Sequence, residues 1–200
     1  MFKIDKRLFL YFSIIFFAET IIGTLLHESG HYLAAKFMGF DPKIHYMSTS
    51  PRPDRIVSVN EHFWIVFGGP LGTMMIGTIG FLLLLISRPI KERLTTWQWI
   101  FVLISVFWLL MPIAFLFSFY SFLVTGQPIA REDLIKSSRI LEWGDWTIML
   151  VAVFLGTCIS AIVIFRIIPK PKRFTFILAG MIGGFFGALF WANFGKYFLP

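Results

Sequence analysis

Five long apolar runs alternate with short polar stretches along this chain. Leu8 to Leu26 is apolar with one charge, Glu19, and the helical pattern continues through Phe37, where Gly39 and Pro42 stop it. Residues 41–60 change character. They are polar, with Ile44, Tyr46, Ile56, Val57 and Val59 set around a Pro-rich turn, and they predict a short hairpin or re-entrant loop. His62 to Ser87 has no Asp, Glu, Lys or Arg and forms the second run. Leu94 to Ala130 is uncharged for 37 residues, which predicts a helix from about Trp97 to Val124 kinked near Pro112. Residues 125–145 are polar, with a short helix expected after Arg131. Trp146 to Phe165 is the fourth run. Phe174 to Phe194 is the fifth, with Gly180, Gly183, Gly184 and Gly187 at close-packing spacing.

Each run is long enough for roughly 30 Å of hydrocarbon. The expected fold is therefore an all-α polytopic membrane protein in one membrane-embedded domain over residues 1–200. It has about five transmembrane helices and a short hairpin-like insertion after the first. Alternation sorts the loops onto two sides. The N-terminus and residues 88–93 and 166–173 share one side. The end of the first helix, residues 41–60, Gly68–Gly72, residues 125–145 and the C-terminus share the other.

Composition agrees with a multi-pass protein of the cell membrane. The chain is 57% hydrophobic and 14% charged, where soluble domains carry about 25% charge. Its net charge of +7 comes from basic residues in short loops between apolar runs. That placement is a topology signal and excludes a nucleic-acid partner, leaving the lipid bilayer as the expected surrounding. The first side holds 10 Lys and Arg and the second 8, which favours a cytoplasmic N-terminus by a narrow margin. Cys158 is the sole cysteine, so neither an internal disulfide nor a cysteine metal cluster is expected. The first run lacks a small-residue cleavage site, so it is not expected to be a removable signal peptide.

The chemistry concentrates in His27-Glu28-Ser29-Gly30-His31. On a helix, residues four apart lie about 40° apart and one turn along the axis, so two imidazoles can reach one metal ion from one face. Glu28 lies roughly 100° from His27, where a carboxylate can take a proton from water activated by the ion. HExxH thus supplies two zinc (Zn2+) ligands and a general base together. A catalytic zinc site needs a third protein ligand. On the same side stand His45, His62, Asp41, Asp54, Glu61, Glu132, Asp133, Glu142 and Asp145. Asp133 starts the short helix after the third run and Asp145 precedes the fourth. Either could be a ligand or a helix cap. Glu19, two turns before His27, either stays protonated or bonds a ring nitrogen of a histidine. Gly68, Gly69 and Gly72 either give close helix packing or expose backbone that binds an extended substrate.

On HESGH (27–31) at the end of the first long helix, the hairpin-like stretch, and GGPLG (68–72) in the next run, the chain resembles the site-2 protease family of intramembrane zinc metalloproteases. The resemblance covers residues 8–87 closely and the rest loosely. It implies a three-helix core and zinc held by both motif histidines and a later Asp. The implied activity is peptide-bond hydrolysis in membrane-embedded protein substrates. Carried over, His27 and His31 are ligands, Glu28 is the base, and Gly68 and Gly72 form the GxxxG-like element. Asp133 is the preferred third ligand because it follows the third run directly. The family often has Asn-x-x-Pro and then Leu-Asp-Gly. Here Leu109 stands three before Pro112, and neither Asp133 nor Asp145 precedes Gly. Two other functions therefore stand beside the peptidase: a catalytically silent membrane binding protein, and a membrane zinc hydrolase of non-peptide substrates.

Overall fold

A computed structural model describes residues 4–52, 55–88 and 93–200. Lys3, Asp54 and Lys91 lie outside the described residues. Asp5 opens helix α1 (Lys6–Phe37) by accepting hydrogen bonds from the Arg7 and Leu8 amides. Gly39, at φ +82°, turns the chain out of it. The predicted hairpin follows: β1 (Lys43–His45) pairs antiparallel with β2 (Ser48–Ser50), with Ile44 opposite Thr49. A reciprocal Ser58–Glu61 capping box starts α2 (Val59–Ile86), and Thr95 with Gln98 starts α3 (Thr96–Ser105) the same way.

The third apolar run is broken. A 3-10 turn, Val106–Leu109, separates α3 from α4 (Leu110–Thr125). The expected kink at Pro112 is therefore a break just before it. Pro112 has no N–H for the Trp108 carbonyl, and a Cβ on Gly156 would stand 2.6 Å from that oxygen. Gly126, at φ +74°, ends α4. The short helix is α5 (Asp133–Ile140). The fourth run forms α6 (Thr147–Ile162) and finishes in a π-turn, Val163–Ile167. The fifth forms α7 (Lys170–Phe198), which starts four residues earlier than its apolar stretch because Pro171 suits a first turn.

Among the described residues, five helical stretches are long and apolar enough to cross a membrane: Lys6–Phe37, Val59–Ile86, Thr96–Thr125, Thr147–Ile167 and Lys170–Phe198. Their outer faces bear large apolar side chains such as Phe117, Phe154, Leu123 and Phe185, all well exposed. A surface so apolar matches hydrocarbon rather than water.

Helix α1 is central, packed on α7 and α2, while α2 also carries α3 and α5, and α4 rests on α6. One apolar core, including Phe12, Leu84, Val102, Val163 and Phe176, fills the N-terminal end. A second, built from Trp108, Met111, Leu134, Ile135 and Met149, seats α5 against the bundle. The Asp5 amide donates to Thr175 Oγ1, and the Tyr46 amide donates to the Leu199 carbonyl. The two chain ends thus lie at opposite ends of the bundle. Cysteine-accessibility mapping in membranes is expected to find residues 5 and 199 on opposite sides; finding them together rejects the five-span arrangement.

Candidate metal centre

His27 and His31 project from α1 where it touches α2 most closely. The contact depends on glycine. A Cβ on Gly30 would collide with the Gly68 carbonyl, and a Cβ on Gly68 would stand 2.7 Å from the Gly30 oxygen. A Cβ on Gly69 would press on both imidazoles, 2.7 Å from His27 Nε2 and closer still to His31 Nε2. Gly72 is looser, 3.4 Å from the Gly30 Cα by the same measure. Gly68 and Gly69 are buried within α2. Gly68 and Gly69 thus take the close-packing geometry, and all three glycines lie within α2.

Both rings are oriented from behind. His31 Nδ1 lies 2.7 Å from the Ile65 carbonyl. His27 Nδ1 lies 3.2 Å from Thr73 Oγ1, and the Thr73 hydroxyl donates to the Gly69 carbonyl at 3.2 Å. We assign the Nδ1 proton on each ring to these acceptors, which leaves both Nε2 lone pairs facing forward. The two Nε2 atoms are 3.2 Å apart. Asp133 Oδ2 lies 3.2 Å from His27 Nε2 and 3.3 Å from His31 Nε2.

Three elements bring Asp133 there. Glu132 caps α5, its carboxylate accepting from the Ile135 amide at 2.9 Å, so Asp133 is free to point away from the helix end. Leu134 and Ile135, fully buried, anchor the first turn of α5. Lys136 Nζ sits 3.3 Å from Asp133 Oδ1 and leaves Oδ2 to the histidines. Burial would push the Asp133 carboxyl up, but when the two imidazoles carry protons on Nε2 their hydrogen bonds and charge outweigh it and hold the group well below the usual carboxylate range. Burial carries Glu132 up to about 7, against the opposing hydrogen bond from the Ile135 amide.

Glu28 is buried at 6% exposure. Its Oε2 accepts from the Thr49 hydroxyl at 2.9 Å, and the Glu28 carbonyl lies 3.0 Å from the same hydroxyl. The ligand atoms of His27, Glu28 and His31 all fall within 4.8 Å of one another. The hairpin is thus fastened to the motif helix at its carboxylate. It is also tied to α7, where Trp191 Nε1 donates to the Tyr46 carbonyl at 2.7 Å.

The remaining sequence candidates have other employment. Asp145 receives two hydrogen bonds from Arg139, at 2.9 and 2.6 Å, and does not cap α6. His45 Nδ1 meets the Pro200 carbonyl, Asp41 pairs with Lys36, and Glu61 serves its capping box. His62 and Glu142 are exposed. Among the described residues no hydrogen bond joins Glu19 to either histidine, and its Oε2 is buried without a hydrogen-bond partner. That removes the ring-nitrogen role expected as one of its two possibilities. Sequence reasoning missed Thr73, Thr49 and Lys136. Thr73 lies one residue past GGPLG and Lys136 one helical turn past Asp133, a signal available at each. Thr49 carried none.

The donor set can be tested against zinc by its own spacing. Imidazole nitrogen and carboxylate oxygen bind zinc at about 2.0–2.1 Å with tetrahedral angles, which sets ligand atoms about 3.3–3.4 Å apart. The three observed separations, 3.2, 3.2 and 3.3 Å, agree with one face of that tetrahedron. Three convergent lone-pair donors in a half-buried setting also call for a cation between them. The residues fit. No protein-family model, curated protein or solved structure matches the chain, so the functional reading rests on this geometry and on the sequence motifs.

Proposed function

We propose that the protein is an intramembrane zinc endopeptidase, similar to the site-2 proteases, acting on membrane-embedded protein substrates in the cell membrane. The observation that carries this reading is the triangle of His27 Nε2, His31 Nε2 and Asp133 Oδ2 with the buried Glu28 beside it. His27, His31 and Asp133 would hold the ion. Zinc bound there would polarise the scissile carbonyl and make the attacking water more acidic. Glu28 takes the proton that water loses as its oxygen bonds to the carbonyl carbon. It then delivers that proton to the amide nitrogen as the C–N bond breaks. Thr49 holds the Glu28 carboxylate in place for both transfers. The substrate must be unwound at the cleaved bond, because a helix encloses its own carbonyls.

The test is incubation of purified protein in liposomes with a panel of membrane-spanning peptides. Cleavage is expected with about one zinc per chain, to cease on chelation and to return on adding zinc. Full activity in metal-free protein overturns the reading. Gly69 supplies an independent check of the metal role. Gly69→Ala drives a methyl group into both imidazoles and is expected to weaken zinc binding by about 10- to 100-fold, the range for disturbed ligand orientation. Gly72→Ala, with room for a methyl group, is expected to leave it unchanged; equal effects in a zinc-competition titration would break the link to ring position.

A further inference from the structure

A cavity of about 630 Å³ runs beside the metal centre, walled by α1, the 3-10 turn, α4 and α7. Phe16, Phe107, Met111 and Met181 are typical of its lining, and His27 borders it. The wall is apolar except at a few points. One is Glu19, near the middle of α1, about 20 Å along the axis from Lys6. Glu19 borders the cavity while its Oε2 is enclosed and, among the described residues, has no hydrogen-bond partner. A carboxyl group left so in hydrocarbon surroundings is expensive.

We propose that this cavity receives the membrane segment of the substrate, and that Glu19 selects segments carrying a hydrogen-bond-donating side chain, an amide or an ammonium, at one set distance from the cleaved bond. This rests on the peptidase reading and adds a specificity residue to it. Lipid is the weaker occupant on chemical grounds. An acyl chain offers no donor, and headgroup donors stay at the interface, whereas a side chain on a spanning segment can reach mid-membrane depth. The distance follows from geometry. Glu19 and His27 are eight residues apart on one helix, about 12 Å along its axis. An extended peptide covers this in three to four residues at about 3.3 Å each. A helical one needs eight.

The test uses the full chain in liposomes and peptides identical except for Leu, Asn or Lys, scanned from two to eight residues from the cleaved bond on either side. Binding is read in the Glu28→Gln protein by photocrosslinking, cleavage in protein with native Glu28. Asn and Lys peptides are expected to crosslink beside residue 19. At three to four residues they are expected to be cleaved at least tenfold better in kcat/KM than Leu. Glu19→Leu is expected to bring the Asn-to-Leu ratio to about one. Glu19→Gln keeps the preference for Asn and loses that for Lys. Zinc content reports whether each variant is folded. Equal use of all three peptides, a preference that survives Glu19→Leu, or crosslinking to photoactivatable phospholipid in place of peptide overturns the proposal. Selective crosslinking without any cleavage leaves it standing and rejects the peptidase reading; cleavage without selectivity does the reverse.

Discussion

Asp133→Ala protein is expected to purify with less than about a tenth of the zinc carried by the native chain, as loss of one of three ligands predicts. Cleavage is expected to fall on the order of a thousandfold or more, since metal polarisation supplies several kcal/mol of transition-state stabilisation. The basis is positional: Oδ2 of Asp133 completes a triangle with two imidazole nitrogens at 3.2 and 3.3 Å. Asp145→Ala is the control. Its carboxylate is engaged by Arg139 on a half-exposed surface, where an ion pair is worth about 0–1 kcal/mol. Zinc is expected to stay near one per chain there. Metal analysis of both proteins decides, and zinc lost from the Asp145 variant alone would move the ligand role to that residue.

Glu28→Gln is expected to separate binding from chemistry. The amide keeps the size of the side chain but cannot take up a proton. Zinc content is expected to be unchanged and turnover to drop about 10²- to 10⁴-fold, the usual contribution of a positioned general base. A Glu28→Gln protein that cleaves at the native rate would remove Glu28 from the mechanism. Thr49 supplies a graded companion. Thr49→Val takes away the hydroxyl 2.9 Å from Glu28 Oε2 and is expected to lower turnover by about tenfold, the size of one hydrogen bond to a charged group. Thr49→Ser restores the hydroxyl and is expected to restore the rate. A purely packing role for Thr49 predicts no such rescue.

Much of this arrangement was legible in the sequence because it is local. HESGH fixes two rings and a carboxylate through helical periodicity alone. The five apolar runs and the polar break at 41–60 map onto five helical stretches, the third of them broken, and a hairpin. The harder parts depend on distance. Asp133 stands 106 residues from His27, without the Asp-Gly pair of the family, and arrives on a separate short helix seated by Leu134 and Ile135. Placement directly after the third run favours it over Asp145, and the structure adds Arg139, which occupies Asp145 and not Asp133. Thr49 is invisible for the same reason, since its importance comes from the hairpin folding back onto α1. The interruption at Val106–Leu109 was only half legible. Pro112 marks a freed carbonyl, but the 3-10 turn also depends on Gly156 letting α6 close against Trp108.

The glycine contacts of α1 have a mechanical consequence. Backbone packs on backbone at Gly30 and Gly68, at the level of His27 and His31, and again at Gly187, where a Cβ would stand 2.7 Å from the Phe17 carbonyl. Helices in such contact cannot slide without collision, because no flexible side chain lies between them to yield. Helices α1, α2 and α7 therefore behave as one stiff frame that holds His27 and His31 in register with Gly69. Helix α4 rests on α6 and the 3-10 turn instead, and it forms the wall facing Glu19. Gly156 pins the start of α4 to α6 at the Trp108 carbonyl, so under the proposed peptidase reading the compliance needed to admit a bulky segment would fall to the part of α4 beyond that contact while the frame stays still.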